Sequence, residues 1–581
     1  MQKSWLPRSI PAEHNLSVNS DLLRQLLVGR GITDQSAAER FLAPDYERDL
    51  HDPFLMLDMD RAAARILAAV RDGERIAIFA DYDADGVPAA AILTAFFRRI
   101  NFSNFTVYIP DRHEESYGLN NQALAQLAVA GVKLVITVDC GVTDVAAVAE
   151  ATRLGLEVII TDHHLVPEAP PAAYAIINPK RPGDPYPYKM LAGAGVAFKL
   201  VQGLVQFWWK SDIHEPWISD FHRVEPGWEK WLLDLVAIAT VSDMVPLTGE
   251  NRALVHFGLK VLRRTPRLGL QALFRVLNLT PEFITEDDIG FLIGPRLNSA
   301  SRMSHGREAY ALLTADDEVE ADRLARHLEA KNKERRASVA AILETVRSDS
   351  ATAAGGVVLV AGELNWPLGV LGLAASRLAE ERRRPVFLWG QNGRGEIRGS
   401  CRSDGAVNVV ELMAAAEALA GGGLFLNHGG HAGAGGFSLA PERLPELAPC
   451  LSEAYRELKK FPAAETDSLF DLEWPAGRVG EEIYAVIERL APFGPENPRP
   501  VFHFPRLPLT AARRFGNGAN HFEFVLPGER LGRLRAVQFF PISARLPNLG
   551  EPIDLLANLE KSYYRGRSEL RLRIVDWRES L

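Results

Sequence analysis

The sequence predicts an α/β protein of several domains. A largely parallel-sheet domain comes first, a long helix joins it to a second α/β domain, and a small β-barrel closes the chain. Three observations carry this reading. Between about residues 60 and 180, short apolar runs of β type alternate with stretches of helical periodicity, the pattern of a parallel sheet with crossover helices. Residues 316–346 read as one helix whose middle, 329–336, is polar on nearly every face, as in helices that bridge domains. After about residue 465 the pattern changes to short strands.

In chain order, residues 1–50 read as a helical lead-in, with apolar spacing over 22–26 and a second helix ending at Leu42. Strands are predicted at 76–80, 105–109, 134–138, 158–161 and 175–177, with helices at 122–130 and 144–154 between them. Residues 190–310 read as mainly helical with Gly and Pro breaks, and Thr314 is the expected N-cap of the long helix. The second α/β unit begins near 356–360 and runs to about 455. Barrel strands are predicted at 501–504, 521–526, 535–540 and 570–575, compatible with an OB-fold. The expected domains are 1–50, 51–255, 256–350 (helical region and connector), 351–460 and 461–581.

With 581 residues, the chain is long enough for three or four domains, each with its own core. Its 47% hydrophobic and 24% charged residues are ordinary for a globular protein. Cys140, Cys401 and Cys450 have no CxxC spacing, which argues against a disulfide framework or a Cys-based zinc site and fits a reducing cytoplasm. No apolar run is long enough to cross a bilayer, and the first residues lack the apolar stretch of a signal peptide. Net charge is −9, but between Arg506 and Arg578 there are 13 Lys/Arg against 7 Asp/Glu. A basic C-terminal module on an acidic body suits a polyanionic substrate; charge alone is equally compatible with a solvated Arg-rich surface.

Chemistry concentrates at three strand ends: Asp81-Tyr82-Asp83-Ala84-Asp85-Gly86, Val138-Asp139-Cys140-Gly141 and Thr161-Asp162-His163-His164. In parallel α/β sheets, ligands bind outside the carboxyl ends of the strands. Crowded carboxylates repel unless a cation neutralises them, and carboxylates with imidazole suit Mg²⁺ or Mn²⁺. An EF-hand is excluded, because the twelfth loop position is Ile92 rather than Glu. Two ions about 3.5–4 Å apart could activate a water and stabilise phosphoryl oxygens.

These motifs resemble those of the DHH phosphoesterase superfamily and, within it, the RecJ family of single-strand-specific 5′→3′ DNA exonucleases. The resemblance extends through Asp111-Arg112, Tyr117-Gly118-Leu119, Gly193 to Phe198, Ala239 to Leu247 and Gly294-Pro295-Arg296-Leu297-Asn298. Further along it takes in Gly399 to Ser403, Gly429 to Phe437 and Pro492 to Pro498. It implies a metal centre of Asp81, Asp83, Asp85, Asp139, His163 and Asp243, with His164 catalytic. Which two of Asp81, Asp83 and Asp85 ligate directly is left open. Only the resemblance promotes Asp243; its residues alone read as an ordinary helix end. The second unit is similar to the DHHA1 domain, and the resemblance as a whole implies that Arg112, Arg296, Asn298, Arg302, Ser400, Arg402, Gly429, Gly430 and His431 bind substrate, with Ser400, Arg302 and Arg402 on the 5′-terminal phosphate. The glycines would let backbone N–H groups approach a phosphate, although a tight turn is the alternative. The barrel would bind the strand through Arg513, Arg514, Phe515, His521, Phe522 and Tyr563-Tyr564-Arg565, while Phe522 and Phe524 could equally be barrel core.

The chain departs from the family at Trp366-Pro367-Leu368-Gly369, where a histidine is lost, at Ser299-Ala300-Ser301 and at Ser400-Cys401-Arg402. The activity implied is release of 5′-mononucleotides from single-stranded DNA with two divalent ions, Mn²⁺ or Mg²⁺, in DNA repair and recombination. Implied partners are single-strand binding protein and a RecQ-type helicase, with no membrane and a monomeric state. The rivals are a phosphatase of short oligonucleotides or cyclic dinucleotides and a non-catalytic single-strand-binding scaffold.

Overall fold

The computed structural model describes residues 4–9, 11, 13–115, 117–210, 224–348, 356–458, 467–516, 518–528, 532–541, 545–564 and 567–580. It divides into two compact units: residues 52–243 with 261–464, and residues 1–51 with 244–260 and 465–581.

The first unit holds two sheets. One contains β1 (Arg75–Ala80), β2 (Phe105–Tyr108), β3 (Val132–Val138), β4 (Glu157–Thr161) and β5 (Ala175–Ile177), in the order β2-β1-β3-β4-β5. Every pairing is parallel, as predicted. Strands β1, β3, β4 and β5 are apolar and almost wholly buried because helices cover both faces, while β2, at the sheet edge, is half-buried. Chain direction across the sheet switches between β1 and β3, the kind of point at whose carboxyl edge open α/β sheets bind ligands. The helices that matter for the site are α1 (Gly86–Arg99), α2 (Gly193–Lys210), α3 (Leu233–Ser242) and α4 (Gly294–Met303).

The long helix α5 spans Glu318–Ser348. Its N-cap is not Thr314. Asp317 accepts the Glu320 N–H through Oδ1 at 2.8 Å, while the Thr314 hydroxyl donates to the Tyr310 carbonyl at the end of the preceding helix. Both residue types can cap, and the preceding turn takes up Thr314 first. The polar middle of α5 is partly consumed: Glu329 pairs with Arg296 and Asn332 is buried. Its last turns place Val339, Ile342, Leu343 and Val346 in the core of the second sheet domain.

That domain contains β6 (Leu359–Gly362), helix α6 (Leu368–Arg382), β7 (Val386–Gln391), β8 (Ile397–Arg402), β9 (Asn427–His431) and β10 (Ala434–Leu439), in sheet order β9-β10-β8-β7-β6. The Gly-rich stretch lies in this sheet and is more than a tight turn. Its two halves pair as an antiparallel hairpin, Asn427↔Ser438 through His431↔Ala434.

In the second unit, β11 (Phe502–Leu507), β12 (Ala511–Phe515), β13 (His521–Gly528), β14 (Gly532–Phe539), β15 (Ile553–Tyr564) and β16 (Arg567–Glu579) join Leu472–Glu473 in a seven-stranded sheet. The N-terminal helices Asp21–Val28 and Gln35–Leu42 share its core: Leu23, Leu26 and Leu27 pack in one cluster with Phe502, Phe504, Phe522 and Phe524. Within this unit, Asn497 donates to the Leu490 and Pro492 carbonyls, and Arg252 to those of Leu490 and Ala491. That polar knot accounts for the Pro492–Pro498 motif as a structural one.

Candidate metal and nucleic-acid site

Strand register builds the centre of the site. Ala80 pairs with Val138, Val138 with Thr161, and Thr161 with Ile177, so the strands end level. The next residues, Asp81, Asp139 and Asp162, stand in a row. Each donates its backbone N–H to the last carbonyl of the neighbouring strand, at 3.2, 3.0 and 3.1 Å. Asp139 has φ +62°, a left-handed conformation that Asp tolerates better than most residues but that still costs energy, as at many functional sites.

Around this row gather the remaining acids. Asp85 stands at the N-terminus of α1, where its two oxygens accept N–H groups from Gly193 and Ala194 at 2.6 and 2.7 Å. Asp83 accepts from its own loop, at Asp85 N and Gly86 N. Asp243 caps the C-terminus of α3. His163 Nε2 lies 3.2 Å from Asp139, and 3.7 Å from both Asp85 and Asp243. Ligand atoms of Asp85, His163 and Asp243 come within 4.8 Å of one another, as do those of Asp81, Asp83 and Asp139, and those of Asp139, His163 and His164. Asp81 and Asp83 thus group with Asp139, and Asp85 groups with His163 and Asp243.

The electrostatics of this cluster call for cations. Burial first, then mutual repulsion, pushes Asp85 up to about 7 and Asp243 up to about 9, and raises Asp81 and Asp139 well above the carboxylate range. Burial beside His164 lowers His163 to about 3, so its imidazole is neutral and able to ligate. Asp81 Oδ1, Asp139 Oδ1 and His163 Nε2 are buried without a hydrogen-bond partner among the described residues. Converging orphan oxygens and one neutral imidazole fit divalent cations of the Mg²⁺ or Mn²⁺ kind.

His164 is arranged differently from His163. Its Nδ1 lies 2.7 Å from Asp162 Oδ1 and 3.1 Å from the Tyr117 hydroxyl, and Asp162 raises its pKa against the effect of burial. Asp162 also accepts the N–H groups of Val142, His163 and His164; the His164 side chain first, then the Val142 and His164 N–H groups, lower its pKa against the effect of burial. Neither Asp162 nor Tyr117 was among the expected site residues, though both lie inside the quoted motifs. The overlooked signal was that a buried strand-end acid needs a partner, and His164 is the nearest one.

Beside the metal cluster lies a cleft of about 440 Å³. Arg112, Ser400 and Gly429 line it, as expected, together with Tyr82, His428 and Arg398. The Arg112 guanidinium lies 4.9 Å from the Tyr82 ring centre. Arg302 donates to the Gly369 carbonyl at 3.0 Å, at the first turn of α6, and Arg402 donates to Ser376 at 3.0 Å. Burial, then the neighbouring Arg112 and Arg335, lowers Arg302 to about 9. Arg112, Arg302 and Arg402 thus bring positive charge together in a way suited to an anion. Three other expected substrate residues are placed elsewhere. Arg296 is engaged by Glu329 and the Leu292 carbonyl, Asn298 accepts the Ala84 N–H and so holds the 81–86 loop, and His431 is exposed at the hairpin end. Gly430, at φ +140°, lies against the opposite strand of the hairpin.

On the barrel, Phe522 and Phe524 are core residues, not a DNA surface. Arg513 is paired with Glu523. Phe515, His521, Phe539 and Phe540 instead form a surface cluster, with His521 packed edge-on against Phe539 and Phe540, and Arg571 and Arg573 reach over Phe539. The side chains of Tyr563 and Tyr564, and the whole of Arg565, lie outside the described residues.

Comparison with known proteins agrees with this anatomy. Residues 75–240 match the N-terminal domain of the DHH family, 355–457 the DHHA1 domain and 470–576 the RecJ OB domain. The single-stranded-DNA-specific exonuclease RecJ of Salmonella typhimurium is 32% identical over 96% of this chain and 95% of its own length. The RecJ of Bacillus subtilis is 34% identical over 87% of this chain, which spans 62% of that longer relative. The crystal structure of Thermus thermophilus RecJ in complex with Mn²⁺ superposes with a TM-score of 0.76 at 28% identity, covering 96% of this chain and 76% of that one. A further structure, of exonuclease RecJ bound to manganese, matches at a TM-score of 0.59 and 31% identity, over 70% of this chain and 96% of that one. With its strand-end acids, its arginine-lined cleft and its three domains in this order, the chain belongs to the RecJ family of the DHH phosphoesterases.

Proposed function

We propose that this protein is a metal-dependent exonuclease that hydrolyses single-stranded DNA from the 5′ end and releases 5′-mononucleotides, in DNA repair and recombination. The observation that carries the reading is the adjacency of the carboxylate cluster to a cleft lined by Arg112 and Arg398, with Arg302 and Arg402 close to Arg112. Asp81, Asp83 and Asp139 would hold one divalent cation, and Asp85, His163, Asp243 and Asp139 a second. When bound, such ions supply a hydroxide nucleophile near neutral pH and neutralise phosphoryl oxygens. Arg112, Arg302, Ser400 and Arg402 bind the terminal 5′-phosphate and so set which linkage reaches the acids. His164 contacts the scissile phosphate or the departing 3′-oxygen through Nε2. The cleft volume of about 440 Å³ suits one nucleotide, in keeping with release of mononucleotides. The exposed aromatics and arginines of the barrel bind the downstream strand. A cytoplasmic monomer working beside a single-strand binding protein and a RecQ-type helicase fits this role.

Single strands labelled at either end, with and without a 5′-phosphate, test the reading in Mn²⁺ or Mg²⁺. Release of a 5′-labelled mononucleotide with duplex spared is expected. Cleavage from the 3′ end would overturn the phosphate-clamp assignment. A preference for dinucleotides or cyclic dinucleotides would favour the small-substrate phosphatase, and binding without cleavage would favour the scaffold.

A further inference from the structure

The loop carrying Tyr117 is anchored on both sides. Glu115 accepts from the Tyr108 hydroxyl, the Asp111 N–H and the Asn120 amide, at 2.7, 2.6 and 3.0 Å. On the other side, Asp144 accepts the Leu119 N–H at 2.7 Å. Gly118, at φ +83°, lies so close to Asp144 that an added Cβ would stand 2.4 Å from its Oδ2. What this loop delivers is the Tyr117 hydroxyl, within 3.0 Å of the Asp139 carbonyl and 3.1 Å of His164 Nδ1.

The proton count at this junction has one solution. A carbonyl oxygen only accepts, so the hydroxyl proton of Tyr117 goes to Asp139, leaving its oxygen as an acceptor toward His164. Asp162 Oδ1, 2.7 Å from the same His164 nitrogen, already accepts two backbone N–H groups and also acts as an acceptor there. Nδ1 therefore faces two acceptors and must carry the hydrogen. That leaves Nε2 as the working atom of the ring. The Asn178 amide holds the His164 carbonyl at 2.9 Å, and the Tyr117 ring packs edge-on against the imidazole, with centroids 5.8 Å apart.

We propose that Tyr117 is a positioning residue for the hydrolysis: its hydroxyl ties His164 to the backbone of Asp139 and fixes the imidazole as the Nδ1–H form with Nε2 aimed at the substrate. The inference rests on the role given to His164 under Proposed function. Tyr117 links the group that meets the phosphate to the strand end that carries the central carboxylate, so the two keep a common frame. Asp162 alone fixes the tautomer but leaves the ring free to tilt about that one bond; the second acceptor removes the tilt.

The test is a double-mutant cycle of Tyr117→Phe, His164→Ala and the pair, on a 5′-phosphorylated single strand in Mn²⁺. Mn²⁺ affinity is measured calorimetrically in the absence of DNA. Phe keeps the ring and removes only the hydroxyl. Expected is a fall in kcat of about 10–100-fold for Tyr117→Phe, the range for partners that orient a functional group, with KM and Mn²⁺ affinity unchanged. In the His164→Ala background the same change costs less than about twofold, because its effect passes through the ring. Full activity of Tyr117→Phe, additive losses in the pair, or a loss that tracks Mn²⁺ affinity would each overturn the proposal. Additivity or a shift in Mn²⁺ affinity would mean that Tyr117 merely braces Asp139. A fully active His164→Ala would overturn the role of His164 itself, and the proposal with it, whereas a wild type that cuts no single strand would overturn the exonuclease reading.

Discussion

His163 Nε2 lies 3.2 Å from Asp139 Oδ1, at the centre of a ring that also includes Asp85 and Asp243, each at 3.7 Å. An almost wholly buried imidazole among three carboxylates is stable only if protons or a cation neutralise the acids.

Stability without metal is expected to depend on pH in the opposite sense to that of most proteins. Asp85 and Asp243 have folded values raised to about 7 and about 9, and Asp81 and Asp139 are raised as well. Groups raised on folding stabilise below their unfolded value of about 4, and that stabilisation is lost as pH rises through the folded values. His163, depressed to about 3, acts oppositely: its contribution is present above about 6.5 and lost as pH falls. Four carboxylates outweigh one imidazole. The melting temperature of chelated protein should therefore fall from pH 5 to pH 9, and saturating Mn²⁺ should remove most of that slope. A chelated protein whose stability rises over the same range would contradict the picture.

Gly193 admits Asp139 to the N-terminus of α2, because an added Cβ would stand 2.4 Å from Asp139 Oδ1. Gly193→Ala is expected to displace the carboxylate, weaken Mn²⁺ binding in calorimetry by at least about tenfold, and cost about 1–3 kcal/mol of stability through overpacking. Asp139→Asn should cut kcat by more than about 100-fold with the circular dichroism spectrum unchanged.

Arg402→Ala should erase discrimination between 5′-phosphorylated and 5′-hydroxyl strands. A hydrogen bond to a charged group contributes about 1.5–3 kcal/mol, so kcat/KM for the phosphorylated substrate should fall by about 10–100-fold and that for the hydroxyl substrate far less.

Arg296→Ala should behave as a stability variant. Its guanidinium pairs with Glu329 on α5 at 2.9 Å and is mostly buried. A fall in melting temperature with kcat held within about threefold is the expected result, since breaking a largely buried pair strands the remaining charge. A selective rise in KM at unchanged stability would return Arg296 to the substrate.

On the barrel, Phe539→Ala with Phe540→Ala should weaken binding of long single strands by about 1–3 kcal/mol per lost stack, leave cleavage of very short ones little changed and preserve folding. Phe522→Ala, by contrast, should destabilise the fold by about 3–5 kcal/mol, because the ring is core. Strand binding by fluorescence anisotropy and thermal melts separate the two.

The strand-end acids were legible because a buried parallel strand is a continuous apolar run, and a carboxylate that ends such a run stands out. The strands at 553–564 and 511–515 were not. Ile553, Leu555, Leu556 and Leu559 have a spacing that suits a helix as well as a strand, and a bulge between Leu556 and Ala557 breaks the alternation. Pairing with β11 on one side and β16 on the other decides for the strand. The Gly-rich stretch was ambiguous because glycine carries no periodicity, and its partner strand β8 supplies the register.

By itself, the sequence determined the class of fold, the order of the domains and the chemical character of the centre: acids and histidines at the ends of buried strands, beside arginines. Only the tertiary structure decided which of them meet. Asp243 joins Asp85 and His163 from a helix end about eighty residues beyond the third strand-end motif. Asp83 and Asp85, two residues apart, fall into different groups, one with Asp81 and Asp139, the other with His163 and Asp243. His163 and His164, adjacent in sequence, part into a neutral imidazole among the carboxylates and a ring held by Asp162 and Tyr117. The physical reason is that residue type follows from local pattern, whereas ligand geometry and protonation follow from distances of a few ångströms. Those distances are set by strand register, by the close approach that Gly193 permits, and by burial.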